Sequence, residues 1–311
     1  ENPINYSILI GNNMIPDLDQ LISKTYNGKK IFLVTDKNVN NLYGNKISSI
    51  LNKQFDVTRF VLPAGEQAKS FKYLEKGYDS LVKNNFQRNN LIIGLGGGVP
   101  GDFAGYLAAS YMRGVPLVQI PTTLLAQVDS SVGGKTAINH EYGKNLIGAF
   151  YQPDQVIIDV DFLNTLPFRE LKTGMAEVIK YGLIADKDFF DFLYNNKNEI
   201  YNLKNKYLID IIKTSCDIKA EVVMEDQKDK GIRAILNYGH TIAHALEAIH
   251  EYGKYNHGEA VAIGMKGAAI LSNKLNHLPQ KELEKVRQII KLYELPEKKK
   301  KKNVEEIYTR M

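Results

Sequence analysis

The stretch Gly94-Leu-Gly-Gly-Gly-Val-Pro-Gly-Asp102 decides the fold. It grows out of an apolar run at 90–95 (NLIIGL) and leads into a helical pattern at 103–111. Within it Gly96, Gly98 and Gly101 satisfy G-x-G-x-x-G, and Pro100 suits a first helical turn. Glycines let a backbone approach a pyrophosphate, and a helix N-terminus offers N–H donors at the positive end of its dipole. A tight structural turn is the competing reading, but the strand–glycine–helix setting favours a phosphate or dinucleotide site. One part of the fingerprint is missing, because the next strand ends in Gln119-Ile120-Pro121 without an acid. Asp36, which closes an earlier strand in Thr35-Asp36-Lys37-Asn38, is the alternative ribose acid.

Working outward, apolar runs recur at 30–35 (KIFLVT), 56–62 (DVTRFVL), 116–120 (PLVQI) and 155–160 (QVIIDV). Helical patterns such as 71–84 lie between them. Strand–helix alternation with apolar strands predicts an α/β unit with a Rossmann-like, parallel, doubly wound sheet. Ligands bind such sheets at the carboxyl ends of the strands. After about residue 166 the pattern changes. The segments 169–185, 187–195, 207–225, 232–250, 258–274 and 280–293 all carry helical periodicity, with almost no strand signal. The expected domains are therefore 1–166, α/β, and 167–311, all helical.

The 311 residues, 44% hydrophobic and 24% charged, exclude disordered, collagen-like and fibrous classes and suit two domains. The net charge of +5 comes from 40 Lys+Arg against 35 Asp+Glu, and five consecutive lysines at 298–302 account for all of it. That run reads as a solvated tail or loop, so no nucleic-acid partner is expected. The single cysteine, Cys216, excludes a disulfide framework and any Cys-built zinc or iron–sulfur site. It reads as a small helix residue rather than a reactive thiol. No apolar run approaches the ~18 residues of a membrane span, and the amino terminus lacks a signal-peptide pattern. A cytoplasmic enzyme or binding protein without a membrane partner is the expectation. The first residue is Glu1 and not Met, which reads as a trimmed or processed start.

Two further constellations carry chemistry. In Asp129-Ser-Ser-Val-Gly-Gly-Lys135-Thr-Ala-Ile-Asn139 and Gly143-Lys144-Asn145, three expected loop residues offer cationic or amide donors to an anion. The Walker pattern is not met, and surface lysines are the bland alternative. In the helical half, His240-Thr-Ile-Ala-His244 puts two imidazoles at i, i+4 on one face. His257 follows in Asn256-His257-Gly258-Glu259, and Glu177 interrupts an apolar helical stretch in Gly174-Met-Ala-Glu177-Val-Ile-Lys180. Spacing alone favours His240 and His244 as a ligand pair; core or capping histidines are the alternative.

Taken together, these residues resemble the 3-dehydroquinate synthase family from about Leu33 to Leu295. The resemblance is carried by Gly65-Glu-Gln-Ala-Lys-Ser70, the Gly-Gly-Gly-Val-Pro-Gly-Asp loop, Tyr111-Met-Arg113-Gly and the long segment from Gln119 to Thr136. It continues through Gly174-Met-Ala-Glu-Val-Ile-Lys180, Arg233-Ala-Ile-Leu-Asn-Tyr-Gly-His-Thr-Ile-Ala-His244 and His257-Gly-Glu-Ala-Val-Ala-Ile-Gly-Met265. The resemblance implies an NAD-binding α/β domain and a helical metal-binding domain, with the active site between them. It makes Glu177, His240 and His257 the ligands of zinc, with Co²⁺ as the other candidate ion, and moves His244 to the substrate. It implies NAD contacts from Asp36, Asn38, Glu66, Lys69, Gly97, Gly98, Asp102, Thr122, Thr123 and Thr165, with Asp129, Lys135 and Lys144 counted at the cofactor as well as the substrate. The remaining catalytic or substrate-binding positions are Asn145, Lys180, Lys219, Arg233, Asn237 and His244. Arg113 would reach into a neighbouring subunit's site, which implies a homodimer.

The implied substrate is 3-deoxy-D-arabino-heptulosonate 7-phosphate. The implied chemistry is transient NAD-dependent oxidation at C5, phosphate elimination, re-reduction, ring opening and intramolecular aldol closure to 3-dehydroquinate, a lyase reaction of the shikimate pathway to aromatic amino acids. Lys135, Asn145, Asn237 and His244 can surround the phosphate, while Arg233 and Lys219 can hold the carboxylate. Another sugar-phosphate cyclase, a metal-dependent polyol dehydrogenase and a non-catalytic NAD- or metal-binding homologue are the alternatives. Arg233 and Lys219 argue against a neutral sugar, which would leave their charges unpaired. The chain departs from the family where a lysine-bearing segment and a final strand are expected after a terminal helix. Here the helix candidate 303–310 is followed by Met311, which reads as a truncated chain or one lacking that lysine.

Overall fold

The computed structural model describes residues 6–226, 231–249 and 255–296. The chain divides into two compact units, Glu1–Thr165 and Leu166–Met311. The first carries β1 (Ser7–Gly11), α1 (Leu18–Ser23), β2 (Lys30–Asp36), the single turn α2 (Lys37–Val39), α3 (Asn45–Leu51) and β3 (Asp56–Leu62). It continues with α4 (Phe71–Lys83), β4 (Leu91–Gly96), α5 (Gly98–Ser110), β5 (Leu117–Pro121), β6 (Lys135–His140), β7 (Gly143–Phe150) and β8 (Gln155–Asp159). Six of these strands form one parallel sheet in the order β1-β8-β5-β4-β2-β3.

Period-2 alternation sorts the strand residues onto two buried faces. Ile31, Leu33, Ile93 and Leu95 pack with Leu18, Ile22, Ile47 and Leu51 of α1 and α3. Phe32, Val34, Ile92 and Leu117 pack with Leu74 and Leu81 of α4 and Phe103 and Leu107 of α5. Helices on both faces make the strands apolar throughout, which is why they were readable as runs. From β2 the chain moves outward to β3, then returns to place β4 on the other side of β2. That reversal opens a crevice at the carboxyl ends of β2 and β4, where Asp36 and Gly96 stand.

The loop expected around Lys135, Lys144 and Asn145 is instead a hairpin. β6 pairs antiparallel with β7, Lys135 opposite Phe150 and His140 opposite Gly143, with a register shift between Ile138 and His140. The hairpin buries Ile138 against the α5 face and leaves much of β7 outside. Its mixture of glycines, amides and charges carries no apolar strand signal. The edge strand β1, with no residue fully buried, offers an apolar run of only three residues, Ile8-Leu9-Ile10.

The second unit carries α6 (Phe168–Ile184), α7 (Lys187–Asn195), α8 (Lys197–Tyr201), α9 (Asn205–Glu225), α10 (His240–Ile249), α11 (His257–Lys274) and α12 (Gln280–Leu292). Cys216 is a buried residue of α9. The expected helix at 232–250 is broken: a 3-10 turn, Ile232–Asn237, is followed by a new start at His240. Gly239 causes the break, with φ +82° and a position where a Cβ would lie 2.5 Å from Met265 N. No helix among the described residues is long and apolar enough to cross a membrane. Residue 250, the lysine run at 298–302 and the helix candidate at 303–310 lie outside the described residues.

Candidate functional site

In the α/β unit the candidates gather around the end of β4. Gly96 turns sharply there, since a Cβ would lie 2.6 Å from Pro100 Cγ. Gly97 caps α5 and Gly98 begins it, so their backbone stands at the N-terminus of a thirteen-residue helix. Thr122 N donates to Gly96 O at 2.9 Å, and Thr123 Cγ2 would sit 3.1 Å from a Cβ at Gly97. Both threonines therefore wall the glycine loop. Asp36 Oδ1 accepts from Asn38 N (2.8 Å) and Val39 N (3.0 Å), which fixes the acid as the cap of α2 at the crevice. Thr165 Oγ1 lies 2.6 Å from the Tyr43 hydroxyl, at the end of the turn after β8.

Four other candidates share one hydrogen-bond network. Lys69, 3% exposed, donates through Nζ to Asp102 Oδ2 (2.6 Å) and Asn145 Oδ1 (2.5 Å), with Glu66 Oε1 3.7 Å away. Asn139, which the sequence did not single out for a role, closes the network. Its Nδ2 donates to Glu66 Oε1 (3.1 Å) and its Oδ1 accepts from Asn145 N (2.9 Å). Burial pushes the Asp102 carboxyl above its ordinary value; Lys69 opposes this, and the nearby Glu66 and Asp129 reinforce it. Asp129 is half-buried in the turn Ala126–Ser130, Lys144 is half-buried on β7, and Lys135 is exposed on β6. Arg113 is exposed in a turn where Met112, Arg113 and Gly114 have φ values of 47°, 67° and 116°.

In the helical unit Glu177 of α6, His240 of α10 and His257 of α11 offer ligand atoms that all lie within 4.8 Å of one another. Glu177 is fully buried, and its Oε1 lies 3.6 Å from His240 Nε2 and 3.3 Å from His257 Nε2. Lys180, one turn further along α6, is buried against Oε2. Burial alone would raise the Glu177 carboxyl, yet Lys180 and the two imidazoles hold it well below the usual range. His257 shows the converse balance. Burial would lower it, but the carboxylates of Glu177 and Glu247 beside the ring hold it up, to about 10.

The second nitrogen of each imidazole is also engaged. His257 Nδ1 lies 3.7 Å from Glu247 Oε1, and His240 Nδ1 lies 3.3 Å from the Tyr238 carbonyl. Two Nε2 atoms turned toward a buried carboxylate, with both Nδ1 atoms held from behind, is the arrangement of metal-ligating histidines. One carboxylate and two imidazoles suit a divalent ion that keeps open positions. Neither Glu177 oxygen receives a well-directed hydrogen bond, although cationic groups crowd both. The residues fit a metal. His244, favoured with His240 by spacing, stands outside the group, its ring 5.5 Å from that of His240. His244 lies one turn, about 6 Å, further along α10, and the ligands must converge on α6 rather than merely share a helix face. Glu247, seven residues after His240 and so on the same face, was the readable signal for the missing partner.

Lys219 of α9 and Arg233 of the 3-10 turn are buried, at 6% and 3% exposure, on elements packed with each other and with α6. Asp226 Oδ2 accepts from Gly231 N (2.6 Å) and Arg233 N (3.2 Å), which shapes the turn that carries Arg233. Asn237 and His244 are exposed.

Comparison with known proteins adds independent findings. Residues 59–173 match the family model described as 3-dehydroquinate synthase N-terminal, and residues 174–311 match the one described as 3-dehydroquinate synthase C-terminal. The chain is 50% identical over 292 residues to a 3-dehydroquinate synthase from Desulforamulus reducens, covering 94% of this chain and 81% of that protein. Among solved structures, it is similar to a 2-deoxy-scyllo-inosose synthase complexed with carbaglucose-6-phosphate, NAD⁺ and Co²⁺, with a TM-score of 0.91, 28% identity, and coverage of 97% of this chain and 82% of that one. A 2-epi-5-epi-valiolone synthase from Streptomyces hygroscopicus with NAD⁺ and Zn²⁺ bound gives a TM-score of 0.90 at 25% identity, covering 100% and 86%.

Proposed function

The chain belongs to the 3-dehydroquinate synthase family, and from that membership we propose that it converts 3-deoxy-D-arabino-heptulosonate 7-phosphate to 3-dehydroquinate and phosphate. The observation that carries the reading is the company of the acid–imidazole triad. Lys180, Lys219 and Arg233 are buried on elements of the same helical unit, an inventory suited to an anionic substrate. Guanidinium and ammonium groups are donors that suit a carboxylate or phosphate.

NAD would supply a hydride acceptor that later returns the hydride, and a divalent metal on Glu177, His240 and His257 would polarise the substrate's hydroxyl. Zinc is the ion we assign, with Co²⁺ suited to the same donors. The chain's own residues bind and orient. The Gly97–Gly98 amides serve a pyrophosphate at the α5 N-terminus, and Asp36 and Asn38 serve the ribose at the end of β2. Glu66, Lys69, Asp102, Thr122, Thr123, Asp129, Lys135, Lys144 and Thr165 complete the proposed cofactor set.

Arg233, with its bidentate fork, and Lys219 hold the carboxylate, while Lys180 keeps Glu177 ionised. Lys135 and Asn145 in the first unit, and Asn237 and His244 in the second, are the phosphate ligands of this proposal. Arg113, exposed on its left-handed turn, supports a homodimer in which it serves the neighbouring subunit. We place the enzyme in the cytoplasm, with aromatic amino acid biosynthesis through the shikimate pathway as its context.

Substrate competition tests the assignment. Given NAD and a divalent metal, the heptulosonate phosphate should turn over to 3-dehydroquinate, seen by NMR, while glucose 6-phosphate should not react. Turnover of glucose 6-phosphate, which lacks the carboxylate, and not of the heptulosonate phosphate would assign a different sugar-phosphate cyclase.

A further inference from the structure

Beyond the three ligands, one group of residues acts on the metal triad from outside it. His257 is the first residue of α11, and the first turn of a helix is held only by its cap. The cap is reciprocal: Asn256 Oδ1 accepts from Glu259 N at 3.1 Å, and Glu259 Oε2 accepts from Asn256 N at 3.1 Å. The same Glu259 carboxylate also receives both prongs of a guanidinium. Arg169 Nε donates to Oε1 at 2.8 Å and Arg169 Nη2 to Oε2 at 2.7 Å.

Arg169 stands in the first turn of α6, on the helix that carries Glu177. Between the two anchors the helices touch through backbone. A Cβ at Gly258 would collide with the Thr173 carbonyl, one turn before Glu177. A second such contact lies further along α11, where a Cβ at Gly264 would strike the carbonyl of Gly239, the residue before His240. Each ligand thus stands within a turn of a fixed point on α11.

We propose that Arg169 and Glu259 are positioning residues for the metal: their fork clasps the first turn of α11 onto α6, so that His257 faces Glu177 before an ion arrives. Without the clasp His257 sits at a loosely held helix end, and ordering it would be charged against metal affinity. The proposal rests on the metal reading given above. It also predicts an unequal pair of effects. A half-exposed ion pair adds little to fold stability, whereas a residue that orients a metal ligand changes affinity about 10–100-fold.

The test titrates Co²⁺ and Zn²⁺ into the metal-free full chain against a competing chelator, with the Co²⁺ visible spectrum as a report on ligand geometry. Arg169→Met and Glu259→Gln should each weaken binding about tenfold and alter the Co²⁺ bands, with little change in melting temperature. Glutamine still serves the capping box, so Glu259→Gln removes the charge and keeps the cap. The double variant should be no weaker than either single one, because both remove the same clasp. Arg169→Lys, a charge without the fork, should recover part of the loss. Lys285→Met, in a half-exposed pair on α12, should leave metal affinity and the Co²⁺ spectrum unchanged. If Arg169→Met fails to fold, Glu259→Gln carries the same comparison. Affinity within twofold of the parent, with an unchanged Co²⁺ spectrum in both single variants, overturns the proposal. Parent-like binding after His257→Ala instead overturns the metal reading beneath it, so the two failures are distinguishable.

Discussion

A buried ammonium group at the mouth of a glycine loop must be paired, and Lys69 is paired on two sides, by Asp102 and Asn145. Asp102 belongs to α5 and Asn145 to β7, so one side chain ties the helix that starts the cofactor loop to the hairpin. The environment around Asp102 is acidic apart from Lys69, and burial raises its carboxyl. The sign of the consequence follows. Above the ordinary aspartate value the folded chain binds more protons at Asp102 than the unfolded chain, so this group's contribution to stability is lost as pH rises through the elevated range. Asp102→Asn should remove that contribution. The difference between parent and variant in melting temperature should shift toward the variant as pH rises above about 4. A difference that stays level across the range would contradict the assignment. At this scale the sequence named Glu66, Lys69, Asp102 and Asn145 through family resemblance, but not Asn139 or Glu247. Asn139 acts through other side chains and leaves no spacing pattern, whereas Glu247 lies seven residues after His240 on the same helix face.

At the scale of elements, helices and buried strands were legible because burial on one or two faces imposes a period. The hairpin β6–β7 was not. One of its strands lies largely in solvent, and the positive φ of Asn145 (56°) and the register shift interrupt any alternation. The broken helix at 232–250 shows the opposite failure, in which periodicity ran on through a glycine that the structure uses as a hinge point. Gly239 lets α10 start afresh and bring His240 toward α6, with the Gly264 backbone against it. Gly239→Ala should therefore destabilise the chain by about 2 kcal/mol or more in urea unfolding, from the left-handed backbone and the contact with Met265 N together. Loss of less than about 0.5 kcal/mol would show that the neighbouring helix gives way freely.

At the scale of the molecule, the two units carry different sets of candidate groups. The first presents a topological switch point with Asp36 at a strand end and Gly97 and Gly98 at the start of α5, and the second presents a triad around the buried Glu177 with three buried cations. The sequence pattern changes from alternating to purely helical at about residue 166, and the chain divides into Glu1–Thr165 and Leu166–Met311. The ligand set was not readable from spacing, because three donors on three helices converge only through packing. The central claim is that NAD is used and regenerated within each turnover while phosphate leaves. The most direct test follows phosphate release and NADH absorbance together, with the heptulosonate phosphate, a divalent metal and NAD at well below the substrate concentration. The account predicts many phosphates released per NAD with no lasting rise in NADH. NADH accumulating mole for mole with substrate consumed, without phosphate release, would contradict it and make the chain a dehydrogenase.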